Sequence, residues 1–95
     1  MGTFHHDTHP LHGITCVVDT KGPRVWVGRV ATIDGTGVQL MGADLFEEAP
    51  GGETKADFLA RVARLGFWER HGQVRVPAEE VVSVRPLGEL RTAGA

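Results

Sequence analysis

The stretch RVWVGRVATIDGTGVQLMGADLF, residues 24–46, decides how this chain folds. Its first half, RVWVGRVATID (24–34), alternates imperfectly between two faces. Val25, Val27 and Arg29 fall on one, Trp26, Gly28 and Val30 on the other. Gly28 interrupts the run, and a glycine inside a strand marks a bend, a bulge or a close backbone approach. DGTG (34–37) follows, and Asp-Gly accepts the positive φ that tight hairpin turns require. VQLMGADLF (38–46) is the returning strand. One long hairpin therefore organises the chain.

Upstream, ITCVVD (14–19) is apolar and β-branched, and it ends at the turn TKGP (20–23). Downstream, EEAPGG (47–52) is a loop. Thr54 with Asp57 three residues later resembles a capping box with the shorter acid. Phe58, Leu59, Val62 and Leu65 follow at helical spacing, and Gly66 stands where such a helix stops, so residues 54–65 are a predicted helix. FWERHGQ (67–73) is a connector whose aromatics, Phe67 and Trp68, are expected to staple that helix to the sheet. Two short strands, VRV (74–76) and VVSVRPL (81–87), flank PAEE (77–80). The expectation is a mostly β fold: a small five-stranded barrel, closed to remove its edges, with one helix inserted between the third and fourth strands. Residues 13–87 form this domain. Residues 1–12 read as a histidine-rich tail, and residues 88–95, with no core pattern, as a fraying C-terminal tail.

The 95 residues make one domain, and their net charge of −2 excludes a global basic field that would draw the chain onto nucleic acid. Cys16 stands alone, so no internal disulfide forms, which fits a reducing compartment. With no membrane-length apolar run and no signal-type leader, the chain is expected in the cytoplasm and away from membranes.

The motifs VWVGRVATID, VQLMGADL and VRVPAEEVVSV resemble the Sm-like (LSm) family of small β-barrels, which share their shape with SH3-like barrels. Trp26, Gly28, Val30 and Asp34 match the strand, glycine and hairpin aspartate of its first motif, and Leu40 and Ala43 the strand that follows. Val76, Val81 and Val84 match the short strand, turn and strand of its second. The resemblance spans residues 13–87 and implies a barrel that assembles into a ring of its own copies by strand-edge pairing. Two departures bear on RNA binding. The position of the family's base-reading asparagine falls on Gly37, and its arginine–glycine pair falls on Pro77 and Ala78, which offer no equivalent donors. The family's usual N-terminal helix is replaced by a helix after the third strand.

FHHDTHPLH (4–12) sets His5, His6, His9 and His12 around Asp7, a candidate metal-binding tract. Pro10 keeps it from presenting an i, i+4 pair on a rigid helix, so a polar tail, or a pH- or metal-sensitive contact between subunits, stand beside the metal reading. Arg24, Trp26, Arg29 and Arg75 are candidate contacts to nucleic acid or a partner, weighed against plain solvated strand faces balanced by nearby glutamates. No nucleophile–base pair or phosphate loop is recognisable, so the chain is read as a non-enzyme without a cofactor. The expected function is an oligomeric binding or scaffolding module, RNA-associated in one version. The alternative is a protein-interaction or metal-responsive module on an SH3-like barrel.

Overall fold

The computed structural model describes residues 10–93. The chain runs β1 (Thr15–Thr20), β2 (Arg24–Asp34), β3 (Gly37–Glu47), α1 (Lys55–Leu65), β4 (His71–Pro77), β5 (Val81–Pro86) and α2 (Leu87–Ala93). The five strands form one antiparallel sheet in the order β4-β3-β2-β1-β5. The fold is mostly β, with a helix between the third and fourth strands as the periodicity predicts.

Closure into a hydrogen-bonded barrel is the expectation that fails. Among the described residues β4 and β5 do not pair, and each is an edge. The sheet nevertheless curls hard, for a reason of chain length. Only the 3-10 turn Ala78–Glu80 joins the end of β4 to the start of β5. Four residue steps reach about 14 Å at most, whereas the edges of a flat five-stranded sheet lie about 19 Å apart. The turn is fastened at both sides, by Ala78 N–H to the Thr36 carbonyl and Lys21 N–H to the Glu80 carbonyl, each 3.0 Å. Val74 and Val76 from one edge and Val81 and Val84 from the other then meet in one inner core with Cys16, Val18, Val30, Val38, Leu40 and Ala43.

Bending of β2 and β3 is built into the long hairpin. Its register shifts between Val27 and Arg29 and again between Val30 and Thr32. Gly28 sits at the first shift, where a Cβ would stand 2.8 Å from the Ala43 Cβ. At the hairpin end, a side chain at Gly37 would run into the Val76 carbonyl, and its φ of +148° suits glycine.

The opposite face of the sheet carries the helices. Val17, Val25 and Val27 pack there with Phe58, Val62 and Ala63 of α1 and Leu87 of α2. β1 is thus covered on both faces, which explains why ITCVVD reads as a continuous apolar run rather than an alternation. The capping box forms in both directions, Asp57 N–H to Thr54 Oγ1 at 3.1 Å and Thr54 N–H to Asp57 Oδ2 at 3.3 Å, and Gly66 ends the helix at φ +87°. Lys55, at the first turn, holds α1 to the β1–β2 turn: its Nζ donates to Asp19 Oδ1 at 2.7 Å and to the carbonyls of Thr20 and Gly22 at 2.9 and 2.7 Å.

Three smaller expectations change. β4 begins at His71, because His71 and Gln73 pair with Ala43 and Met41 while their own side chains stay exposed and leave no apolar signal. The segment from Gly88, read as a tail, continues as α2, with Leu87 and Leu90 turned onto the helical face of the sheet. Phe67 docks as the aromatic staple should, but Trp68 is 73% exposed, and Leu65, placed on the buried stripe by its spacing, is 71% exposed. No helix among the described residues is long and apolar enough to cross a membrane.

Candidate functional site

Two features stand out as surfaces for contact. The first is the pair of sheet edges, β4 and β5, that no strand among the described residues pairs. β4 presents exposed His71, Gly72, Gln73 and Arg75, and β5 presents Val82, which is 58% exposed. An unpaired edge offers a row of backbone donors and acceptors to another strand.

The second is a cleft of about 480 Å³ between the last turns of α1, the connector 66–70 and the end of β3. The alternation of β3 turns Asp44 and Phe46 toward α1, while Ala43 points into the inner core. Phe46 and Phe58 stack with ring centroids 4.7 Å apart and form an aromatic floor. Arg61 lies over Phe58, its guanidinium carbon 5.3 Å from the ring centroid, and is held by Glu53 through Nε at 3.2 Å and Nη2 at 2.9 Å. Those bonds to a carboxylate push the Arg61 pKa above its already high ordinary value, so the group is a fixed cation. Asp44 is buried, and its Oδ1 accepts from Leu45 N–H at 2.9 Å. Arg70 Nε approaches the same oxygen at 3.9 Å, close enough for an ion pair and too far for a hydrogen bond. Leu65 and Trp68 stand at the rim.

Arg24, Trp26, Arg29 and Arg75, singled out in the sequence, do not form one site. Arg24 stands at the start of β2 in an exposed ion pair with Glu47 at 3.7 Å. Trp26 packs against the inner core and meets the His71 ring edge-on, with centroids 5.4 Å apart, so it is a packing residue. Arg29 pairs across the sheet with Met41 and Thr15, on the other face. Arg75 donates to Thr36 Oγ1 and braces β4 against the hairpin tip. Asp34 accepts there from Thr36 Oγ1 at 2.6 Å and Thr36 N–H at 2.8 Å, which holds its carboxyl below the usual carboxylate range, with the nearby Arg75 charge acting the same way. Cys16 is fully buried; burial first, and the negative charge of Glu89 second, push its thiol up. His5, His6 and His9 lie outside the described residues. His12 is exposed, in the turn before β1. Among the described residues no group of three or more His, Cys, Asp or Glu side chains is placed to hold a metal ion.

Sequence reading missed the cleft. Its lining residues come from β3, α1 and the connector, and only Trp68, an aromatic directly after a helix stop, carries a visible signal.

No protein-family model matches the chain. Nor does any curated protein. Among solved structures, the chain is similar to one in the crystal structure of the NatC complex bound to CoA, with a TM-score of 0.54 at 15% identity over 90% of each chain. At that identity the likeness speaks for the fold alone. It extends nearly end to end, so the curled sheet with its helices is a unit that recurs in another protein of similar length.

Proposed function

We propose that this chain is a binding or scaffolding module, not a catalyst, and that it associates through its sheet edges with copies of itself. The observation that carries the reading is the pair of unpaired edges, β4 and β5, at the two ends of one strongly curled sheet. An edge left open on both sides is suited to head-to-tail addition, in which β4 of one copy continues the sheet from β5 of the next. A heterologous contact of that kind closes into a ring if the rotation permits. The resemblance of the strand motifs to the Sm-like family points the same way. The RNA-associated version draws no support from Arg24, Arg29 and Arg75, which are spread over two faces and partly engaged. A protein-binding scaffold in the cytoplasm is the form retained.

Light scattering after gel filtration tests this. The expected result is a mass that is a multiple of the 10.2 kDa chain and shifts toward monomer on dilution. A mass that stays at one chain throughout the concentration range rejects self-assembly. Binding of single-stranded oligo-U at low salt, lost steeply as salt rises, would restore the RNA version.

A further inference from the structure

The cleft beside α1 opens on the helical face of the sheet, next to the start of β4, and its chemistry points to a different occupant. We propose that it is a docking site for an acidic peptide segment of another protein, one that sets a bulky apolar side chain against Phe46, Leu65 and Trp68 and a carboxylate against Arg70.

The argument rests on charge and on exposed apolar surface together. Leu65 and Trp68 are 71% and 73% exposed and stand at the rim of the same cleft. Two large apolar side chains left in water beside an aromatic floor supply area for an anchor residue. Two guanidinium groups stand at the rim, and one of them, Arg61, is already paired with the partly exposed Glu53. Arg61 and Arg70 are exposed at the side chain by 48% and 64%, whereas Asp44, the one acid among the described residues that line the cleft, is exposed by only 8%. At Arg70 a partner therefore meets the guanidinium and not the buried Asp44 carboxylate. The two guanidinium groups differ in state. Arg61 is held by two hydrogen bonds to Glu53, but Arg70 faces Asp44 at 3.9 Å, beyond hydrogen-bond range. A guanidinium has five donors in a planar fork that matches a carboxylate. Asp44 thus tethers Arg70 at the mouth and leaves its fork for an incoming acid. An aromatic and an arginine beside a partly desolvated pocket is the composition of a protein interface hot spot.

The test uses fluorescein-labelled peptides of about ten residues with one Phe or Leu anchor, flanked by Glu, by the isosteric Gln, or by Lys. Anisotropy gives affinity, and the indole N–H resonance of Trp68 reports the site. The Glu peptides are expected to bind and move the Trp68 resonance, to lose affinity in the Gln form, and to weaken with salt. Trp68→Ala should weaken binding about tenfold or more. Arg70→Gln should abolish the preference for Glu over Gln and leave the residual affinity of the anchor. Both residues are exposed, so the fold should persist, and far-ultraviolet circular dichroism checks that it does. The proposal is overturned if Lys peptides bind as well as Glu peptides, if oligo-U moves the Trp68 resonance and the Glu peptides do not, or if dilution of the protein alone moves it, which would assign the cleft to a second copy. Failure here leaves edge pairing intact, since Trp68→Ala changes neither β4 nor β5.

Discussion

Replacing Gly28 with alanine tests the packing that lets the long hairpin bend. The added Cβ would stand 2.8 Å from the Ala43 Cβ, 3.0 Å from the Ala43 Cα and 3.3 Å from the Leu40 Cβ. Carbon atoms in contact prefer about 3.5–4.0 Å, so β2 and β3 would have to separate by about 0.7 Å where their hydrogen bonds hold them. Overpacking of this kind costs about 1–3 kcal/mol. Gly28 does not have a positive φ, so alanine can adopt its backbone, and the reduced entropy of the unfolded chain returns about 0.4–1 kcal/mol. The net expectation is a loss of about 1–2 kcal/mol, which in a domain of this size lowers Tm by roughly 5–15 °C. Ala43→Gly removes the nearest obstacle. Alone it should cost about 1.5 kcal/mol, from a lost buried methyl and a more flexible chain. The double variant should be more stable than the sum of the two losses by about 1 kcal/mol, because the shortest contact is gone while the Ala43 Cα and the Leu40 Cβ remain. Urea unfolding, followed by circular dichroism, measures all four corners of the cycle. Gly28→Ala at or above wild-type stability, or a cycle that is simply additive, refutes the close approach of β2 and β3.

Lys55→Met should destabilise the chain by about 1–2 kcal/mol, since it removes three hydrogen bonds from a charged donor that is itself only partly exposed; hydrogen exchange should rise first in α1, and uniform exchange would argue against a local clasp. Leu87→Ala should cost about 2–4 kcal/mol, because Leu87 fills the core between β1 and α1, and a cost near zero would show that α2 is an ornament. Val62→Asp, which puts an unpaired charge where Val62 is 1% exposed, should unfold the chain, as read from far-ultraviolet circular dichroism. The Asp34 carboxyl, lowered by its Thr36 hydrogen bonds, should titrate below a denatured-chain aspartate in an NMR pH series. A group with a depressed folded pKa stabilises above its unfolded value, so the hairpin tip should loosen only as pH falls below about 4; loosening at higher pH would assign the effect to another group.

The local elements were legible because their signals are local. DGTG makes a tight turn, although the positive φ falls on Gly37 and not on the Asp-Gly pair that signalled it, and Thr54, Asp57 and Gly66 delimit a helix through bonds within a few residues. α2 was hidden because its seven residues include Gly88 and offer only Leu87 and Leu90 as large apolar positions, a pattern too short to stand out from a tail. Leu65 was misplaced for the converse reason. Helical spacing puts it in line with Phe58 and Val62, but spacing cannot say where the sheet beneath the helix ends.

Alternation and turn chemistry in residues 14–87 determine five strands, one inserted helix and the hairpin on which they hang. What those strands do as a sheet is set by distances that no pattern encodes. A three-residue turn pulls the edges together without pairing them, so the sheet curls into a second core and stays open. The cleft likewise draws Asp44, Arg61 and Arg70 from three separate elements. Their nearness depends on how α1 lies across β3, and that is fixed by burial of Phe58 and Val62 on the sheet and by Lys55 at its turn, not by the spacing of the charged residues in the chain.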